Sequence, residues 1–152
     1  MIDIERLAFK FRAAIETALQ DGALDTDVMF CNFPNGCCGD TCDLLAQYFL
    51  DHDIKTKRVV GSAKTVQGIG KQTHAWLLFR NCVIVDITGD QFIDDSTFLN
   101  YCNPVFVGKR NRFYKLFSID TVEPFAGICA LDSCTQKRLS DLYVMLTRYI
   151  VD

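Results

Sequence analysis

Three residues in this chain have the types and the order that catalysis by a thiol requires, and the first is Cys38. Cys38 follows a turn segment at residues 33–36, Phe-Pro-Asn-Gly, and stands where an apolar helical pattern begins. A cysteine at a helix N-terminus is favoured as the thiolate, because unpaired N–H groups and the helix dipole stabilise negative charge there. The same N–H groups are suited to form an oxyanion hole. The position therefore predicts a nucleophile.

His74 is the predicted base for this thiol. The chain contains only two histidines, and His52 lies between two aspartates at a predicted helix end, where a solvated side chain is expected. His74 instead opens the apolar run His-Ala-Trp-Leu-Leu, so its imidazole is expected at the end of a buried strand. A general base needs such a fixed and partly desolvated placement. The structural alternative is a histidine that only caps the strand.

Asp86 is the predicted third member of the site. It lies inside the apolar segment 83–87, where a lone carboxylate is costly unless it has a partner. If residues 73–80 and 82–88 pair as an antiparallel hairpin about an axis near residue 80, Asp86 falls beside His74 or Ala75. A carboxylate at that place fixes the orientation of the imidazole and stabilises its protonated form.

The elements that must position these residues follow from the hydrophobic periodicity. Apolar residues at three- and four-residue steps predict one helix over residues 3–20, ended by Asp21-Gly22, and a second over residues 38–51. Strands are predicted over residues 55–61, 73–80, 82–88, 104–108 and 113–119, with a polar, glycine-containing loop through Lys71 and residues 109–112 as the last turn. A C-terminal amphipathic helix begins at Asp132 or Ser133 and carries apolar residues as far as Ile150. The order helix, helix, strands, helix predicts one α+β domain over residues 1–152.

Composition and charge exclude several classes of function. The chain has 152 residues, 49% of them hydrophobic, and a net charge of −3, which is ordinary for a globular domain. We interpret the basic run Lys109-Arg110-Asn111-Arg112 as a solvated turn, so no nucleic-acid partner is expected. Neither a signal peptide nor an apolar stretch of membrane-spanning length is recognisable. We therefore expect no membrane partner, and either a cytoplasmic location or delivery as an effector.

Eight cysteines occur, at positions 31, 37, 38, 42, 82, 102, 129 and 134. An even count indicates a disulfide framework only in short secreted chains. Cys42, Cys82 and Cys129 lie in apolar runs, where a free cysteine behaves as a small buried hydrophobe, so mostly reduced, structural thiols are expected. No pair of CxxC units is present, and the adjacent Cys37 and Cys38 are poorly placed for tetrahedral zinc, so neither a metal nor a cofactor is expected.

Taken in order, the motifs resemble the transglutaminase-like branch of the papain-like superfamily. They are Phe-Pro-Asn-Gly-Cys-Cys-Gly-Asp at residues 33–40, His-Ala-Trp at 74–76 and Val-Asp-Ile-Thr at 85–88. That branch typically has a cysteine that opens a helix, a His-Ala-Trp strand, and a following strand that ends in Asp-hydrophobic-Thr. The resemblance covers residues 30–92, and residues 86–92 are also similar to small bacterial proteins of this kind. It implies a papain-like core with N-terminal helices packed on an antiparallel sheet.

The resemblance also implies a role for each residue. Cys38 would be the nucleophile, His74 the general base and acid, and Asp86 the residue that orients the histidine. Cys37 is the alternative nucleophile, and we prefer Cys38 because its Cys-Gly step into the helix fits the family pattern better.

Asn32 and Gln91 are further candidates, each able to donate to an oxyanion or to position the substrate amide. Capping of a loop is the alternative role for both residues.

A Cys–His–Asp site performs acyl transfer through a thioester. Water as the acceptor makes the enzyme a peptidase or amidase, a glutamine substrate makes it a deamidase, and an amine acceptor makes it a transglutaminase. The small size and the lack of an evident pro-segment favour hydrolysis of a protein or peptide substrate, and a bacterial effector or toxin module is one context for it. A non-catalytic interaction domain and a thiol redox or metal-binding protein are the competing hypotheses. The oligomeric state stays open.

Overall fold

The part of the chain described by the structure, a computed structural model, comprises residues 3–65 and 70–152. Within it lie three α-helices, α1 (Ile4–Gln20), α2 (Cys38–Leu50) and α3 (Ser133–Thr147). Five strands form one antiparallel sheet: β1 (Thr56–Lys64), β2 (Lys71–Phe79), β3 (Val83–Asp86), β4 (Phe106–Gly108) and β5 (Ser118–Pro124). The predicted α+β class is confirmed.

The helix boundaries follow the capping signals in the sequence. The Asp3 carboxylate accepts the N–H of Arg6 at 3.1 Å at the start of α1, and Gly22 follows its end with a φ of +75°. At α3 the Asp132 carboxylate accepts the N–H of Thr135 at 3.1 Å. A side-chain oxygen in this position satisfies one of the N–H groups that a helix start leaves unpaired. The predicted positions of all three helices are confirmed to within a few residues at their ends.

The strand order is β4-β3-β2-β1-β5, so β2 is the central strand. β1 runs three residues further than predicted, to Lys64. The predicted loop after it includes residues 66–69, which lie outside the described part. His74 is the fourth residue of β2, so it lies within the central strand rather than at its end.

The predicted hairpin of β2 and β3 forms, but in a different register. Leu77 pairs with Val85 and Phe79 with Val83, which places the axis at residue 81 instead of residue 80. The turn contains three residues, 80–82, two of which adopt left-handed backbone angles. Continuing this register puts Asp86 opposite Trp76, with His74 as its diagonal neighbour on the same face of the sheet. Diagonal neighbours remain within reach of long side chains.

The predicted pairing of residues 104–108 with residues 113–119 is wrong. β4 pairs with β3 and β5 pairs with β1, so the two strands lie at opposite edges of the sheet. Residues Tyr114–Leu116 form a 3-10 helix, and β5 begins only at Ser118. Phe113, Tyr114 and Phe117 are all buried, and this spacing is that of a helical turn rather than of a strand.

Two hydrophobic clusters lie on the two faces of the sheet. The helices pack on one face, where Ala75 and Leu77 of β2 join the larger cluster. The other face carries what we call the aromatic cluster: Val59, Trp76, Ile84, Phe92, Phe98, Phe113, Tyr114 and Phe117. Side chains alternate along a strand, so His74 points to the aromatic side and its neighbour Ala75 to the helical side.

All eight cysteines are free thiols. Cys42 is buried as expected, whereas Cys82 and Cys129 are exposed. Cys82 belongs to the turn between β2 and β3, and Cys129 to a short 3-10 helix at residues 128–130, and connecting segments of this kind lie at the surface. In residues 3–65 and 70–152, no helix is both long and apolar enough to cross a membrane.

Candidate active site

Cys38 is the first residue of α2, and its side chain is half-buried. Cys37, which precedes it as the N-cap, makes no capping hydrogen bond through its side chain. The N–H groups of the first helical turn have no partner within the helix, so those of residues 38–40 stand beside the thiol. On either side of Cys38, a Cβ atom built on Gly36 or Gly39 would meet no atom within 4 Å. The backbone on either side of the thiol is therefore not covered by other side chains at these two glycines.

The thiol lies against β2 at the point where β3 has ended. The pairing of β2 with β3 reaches only Leu77, and β2 continues beyond it towards Lys71. There the side chain of His74 and the backbone N–H of Ala75 lie near enough to the sulfur of Cys38 to lower its pKa. The end of β3 thus opens the side of the central strand to the start of α2.

His74 is completely buried. Its ring lies among four aromatic rings, with centroid distances of 5.2 Å to Phe92, 5.7 Å to Trp76 and to Phe117, and 6.0 Å to Phe113. Its partner on β1 is Gly61, where a Cβ atom would come within 2.9 Å of Phe117 and 3.0 Å of Trp76. The ring is therefore held in one orientation.

Asp86 is buried and accepts four hydrogen bonds. Its Oδ2 accepts Nε2–H of His74 at 2.7 Å and the hydroxyl of Tyr114 at 2.9 Å. Its Oδ1 accepts the backbone N–H of Thr88 at 2.9 Å and the Thr88 hydroxyl at 3.2 Å. Burial alone would raise the pKa of Asp86, but His74, Thr88 and Tyr114 outweigh it and hold the pKa below its usual value. The side chain is therefore a carboxylate.

The pKa values of the thiol and the imidazole move in opposite directions. Burial would raise the pKa of Cys38, but the hydrogen bond and the charge of His74 outweigh it, so that this pKa is lowered. Burial would lower the pKa of His74, but Asp86 and the thiol raise it to about 9. Nε2 faces Asp86, so Nδ1 is the nitrogen that can exchange a proton with the thiol. Both shifts favour a thiolate beside an imidazolium.

Cys37 has a different environment from its neighbour. Its thiol donates to the carbonyl of Pro34 at 3.6 Å and accepts the hydroxyl of Thr41 at 3.7 Å. Burial raises the pKa of Cys37 to about 11. Of the two adjacent cysteines, the structure brings Cys38 and not Cys37 to His74.

Gln91 reaches the site and Asn32 does not. Gln91 belongs to the 3-10 helix Gly89–Phe92, and its Nε2 donates to Nδ1 of His74 at 3.0 Å and to the carbonyl of Thr88 at 3.2 Å. Asn32 is exposed in the turn before α2, where its carbonyl accepts the N–H of Asn35 at 2.9 Å. Among the residues described, no hydrogen bond joins the Asn32 side chain to the other site residues.

Arg12 of α1 is a site-supporting residue that we did not predict from the sequence. It is 7% exposed and binds both carboxylate oxygens of Asp90, at 2.8 and 2.7 Å. It also donates to the carbonyl of Ile87 at 2.7 Å, and its guanidinium lies 4.6 Å from the ring centroid of Phe33. Arg12 thus connects the segment after Asp86 to the turn that precedes the nucleophile. A signal was available, because Arg12 stands on the apolar stripe of its helix.

We also predicted no role for Tyr114 or Thr88 from the sequence. Thr88 had a local signal, since an aspartate often accepts the N–H of the second residue after it. Tyr114 had none, because it lies 28 residues from Asp86 along the chain.

In the described ranges, no group of three or more His, Cys, Asp or Glu side chains is arranged to hold a metal ion. Comparisons with protein families, with curated proteins and with solved structures found no match to this chain. What can be said of its function therefore comes from the geometry of the site. The fold and the site define an α+β protein with a buried Cys–His–Asp arrangement beside a helix N-terminus.

Proposed function

We propose that this protein is a cysteine-dependent acyl-transfer enzyme that hydrolyses a peptide or amide bond in a protein or peptide substrate. Cys38 is the nucleophile, His74 the general base and acid, and Asp86 the residue that orients His74. The observation that carries the proposal is the 2.7 Å hydrogen bond between the buried imidazole of His74 and the carboxylate of Asp86, on a histidine whose interaction with Cys38 lowers the pKa of the thiol. Chain order, a helix opened by the cysteine and an antiparallel sheet that carries the other two residues also support a papain-like or transglutaminase-like core.

The reaction can be followed at the level of atoms. The thiolate of Cys38 attacks the carbonyl carbon, a C–S bond forms, and the carbonyl electron pair moves to the oxygen. The N–H groups at the start of α2 stabilise this oxyanion. The imidazolium of His74 gives its Nδ1 proton to the departing amine, the C–N bond breaks, and a thioester remains. His74 then removes a proton from water, which attacks the thioester and releases the acid and the thiol.

The choice of acceptor separates hydrolysis from the related reactions. With a glutamine side chain as the substrate, the same steps release ammonia and make the enzyme a deamidase. With an amine in place of water they make it a transglutaminase. An assay of ammonia release from glutamine peptides, of amine incorporation and of peptide cleavage distinguishes the three.

A non-catalytic interaction domain is the contrasting proposal. Burial of an ionised carboxylate against an imidazole is costly unless the pair is well satisfied, and here four donors are arranged around Asp86. An interaction domain would require neither the four donors around Asp86 nor a Cys38 thiol with a lowered pKa, and proton transfer between Cys38 and His74 uses both.

Alkylation with iodoacetamide at pH 6, followed by peptide mass mapping, tests the proposal. An ordinary thiol, with a pKa of about 8.5, is almost entirely protonated at this pH. We expect Cys38 to be labelled first, and His74→Ala to slow its labelling at least ~10-fold, which corresponds to about one pH unit in the thiol pKa. Cys37→Ser is the matched control and should leave the labelling of Cys38 unchanged. Labelling of Cys37 first, or no effect of His74→Ala, would refute the assignment.

A further inference from the structure

Gln91 occupies the one nitrogen of His74 that the proposed reaction uses. Its Nε2 donates to Nδ1 at 3.0 Å and to the carbonyl oxygen of Thr88 at 3.2 Å. The Thr88 carbonyl favours this orientation of the amide, because the reversed amide would place its oxygen against that carbonyl, and two acceptors repel each other. Both hydrogens of the Gln91 amide are therefore used, one of them on the imidazole.

Nδ1 can accept a hydrogen bond only while it carries no proton. A neutral imidazole has one acceptor nitrogen with a single in-plane lone pair. Gln91 directs its amide donor at this lone pair, and Cys38 is the titratable neighbour whose proton would go to the same nitrogen. If the thiol proton moves to Nδ1, the amide N–H of Gln91 faces an N–H group and its hydrogen bond is lost. The two donors are thus in competition.

We propose that Gln91 is a positioning residue that holds Nδ1 of His74 as an acceptor and so restrains proton transfer from Cys38 in the free enzyme. The ion pair forms fully only when the Gln91 side chain turns away from the imidazole, and a substrate that displaces this side chain would remove the restraint. The thiol is in this way kept less nucleophilic until a substrate is present. This inference rests on the proposed function, since it concerns the same thiol and base.

The other groups that face His74 act in the opposite direction. Asp86 of β3 accepts Nε2–H, and Tyr114 acts on the imidazole only through that carboxylate. Cys38 of α2 is the remaining titratable neighbour, and the rest of the ring meets the aromatic cluster. Within the described residues, Gln91 is thus the uncharged neighbour whose hydrogen bond favours the neutral imidazole of His74 over the imidazolium.

The test is the pH dependence of Cys38 alkylation in Gln91→Leu, with Gln91→Met as a second variant of similar length. The hydrogen bond is worth a factor of about 5 to 10 in the proton-transfer equilibrium. We therefore expect the midpoint of the alkylation profile to move down by about 0.7 to 1 pH unit, and the rate below the midpoint to rise about 5- to 10-fold. Ile93→Ala is the matched control, because this exposed neighbour of the same segment does not contact His74.

Two measurements separate this mechanism from simple access to the thiol. If a Gln91 variant only widens the access of iodoacetamide to Cys38, the alkylation rate should rise at every pH, including the high-pH plateau. Loss of the hydrogen bond between Gln91 and His74 should instead move the midpoint of the alkylation profile. In a double-mutant cycle, the effect of Gln91→Leu should also disappear when His74 is replaced by alanine.

An unchanged or raised midpoint in both Gln91 variants would overturn the inference. A shift of equal size without His74 would overturn it as well. If wild-type labelling did not depend on His74 at all, the proposed function itself would fail, so the two failures are distinguishable.

Discussion

Asp86→Asn is the substitution whose effect on Cys38 can be worked out most fully from the structure. The carboxylate accepts four donors on two oxygens. Asparagine offers one carbonyl oxygen and an NH2 group, so two of the four sites turn from acceptors into donors. The backbone N–H of Thr88 cannot reverse its polarity, whereas an imidazole can exchange tautomers. The carbonyl should therefore face Thr88 and the NH2 group should face His74.

This rearrangement has a direct consequence for the thiol. An NH2 group opposite Nε2 makes that nitrogen an acceptor, so the imidazole proton moves to Nδ1. A protonated Nδ1 on a neutral ring cannot take the proton of Cys38. The pKa of the thiol should then rise towards that of an ordinary thiol, because the contribution of His74 that lowers it in the wild type is lost.

The size of the effect follows from the type of hydrogen bond that is lost. A hydrogen bond to a charged group contributes about 1.5–3 kcal/mol, which corresponds to a roughly 10- to 100-fold smaller thiolate fraction at a given pH below the midpoint. A donor left unsatisfied in a buried site should lower the free energy of unfolding by about 1–3 kcal/mol.

The assay is the rate of Cys38 alkylation between pH 5 and pH 8, with urea unfolding to verify that the variant is folded. The thiolate fraction increases as the pH rises through the thiol pKa. The lowered pKa of Cys38 in the wild type therefore places this increase at a lower pH than for an ordinary thiol, and Asp86→Asn should move it to higher pH. Asp43→Asn is the matched control, since Asp43 is also buried but pairs with Arg58 at 3.0 Å. A folded Asp86→Asn protein that labels within twofold of the wild type would show that the reasoning is wrong.

Three other predictions, two of them substitutions, concern the surroundings of the site. Arg12→Met leaves the half-buried carboxylate of Asp90 without its partner and should lower the free energy of unfolding, measured in urea, by about 1.5–3 kcal/mol; a loss below about 1 kcal/mol would show that Arg12 does not hold this segment in place. Gly89→Ala places a Cβ atom 2.6 Å from the ring of Tyr101. It should lower the unfolding free energy by about 1–3 kcal/mol and slow alkylation of the nucleophile, and a variant as stable as the wild type would refute the close contact. Cys37, with its pKa raised by burial to about 11, should react with iodoacetamide only at alkaline pH, later than Cys38; equal labelling of both at neutral pH would argue against their different roles.

The features that the sequence predicted well depend on neighbours along the chain. α1, α2 and α3 carry apolar residues at helical spacing, and two of them have an aspartate N-cap. The placement of Cys38 at the start of α2 follows from a local signal as well, a turn of Pro, Asn and Gly directly before a helical pattern.

The strands after residue 100 could not be predicted in the same way. Phe113, Tyr114 and Phe117 have the residue types of a strand, but the aromatic cluster buries them in a helical turn. Packing against distant rings outweighs a weak local preference for the extended conformation. β5 then pairs with β1 about 60 residues earlier in the chain, a partner that no turn in the sequence indicates.

The register of β2 and β3 shows how an error of one residue in a predicted turn changes which residues face each other at the proposed site. A turn of three residues moves the axis from residue 80 to residue 81, which changes the direct partner of Asp86 from His74 to Trp76. The contact between Asp86 and His74 still forms, because diagonal positions on one face are within reach of both side chains.

The sequence by itself thus determined the helices, the α+β class and the three residues that meet at the proposed site. Their types and order were sufficient, because capping, periodicity and the cost of a lone buried carboxylate act within a few residues or within one hairpin. Only the tertiary structure decided which further groups surround the site: the hydroxyl of Tyr114 on Asp86, the guanidinium of Arg12 on Asp90, and the amide of Gln91 on Nδ1. These contacts join residues 28, 78 and 17 positions apart, and such distances are closed by the packing of the whole chain.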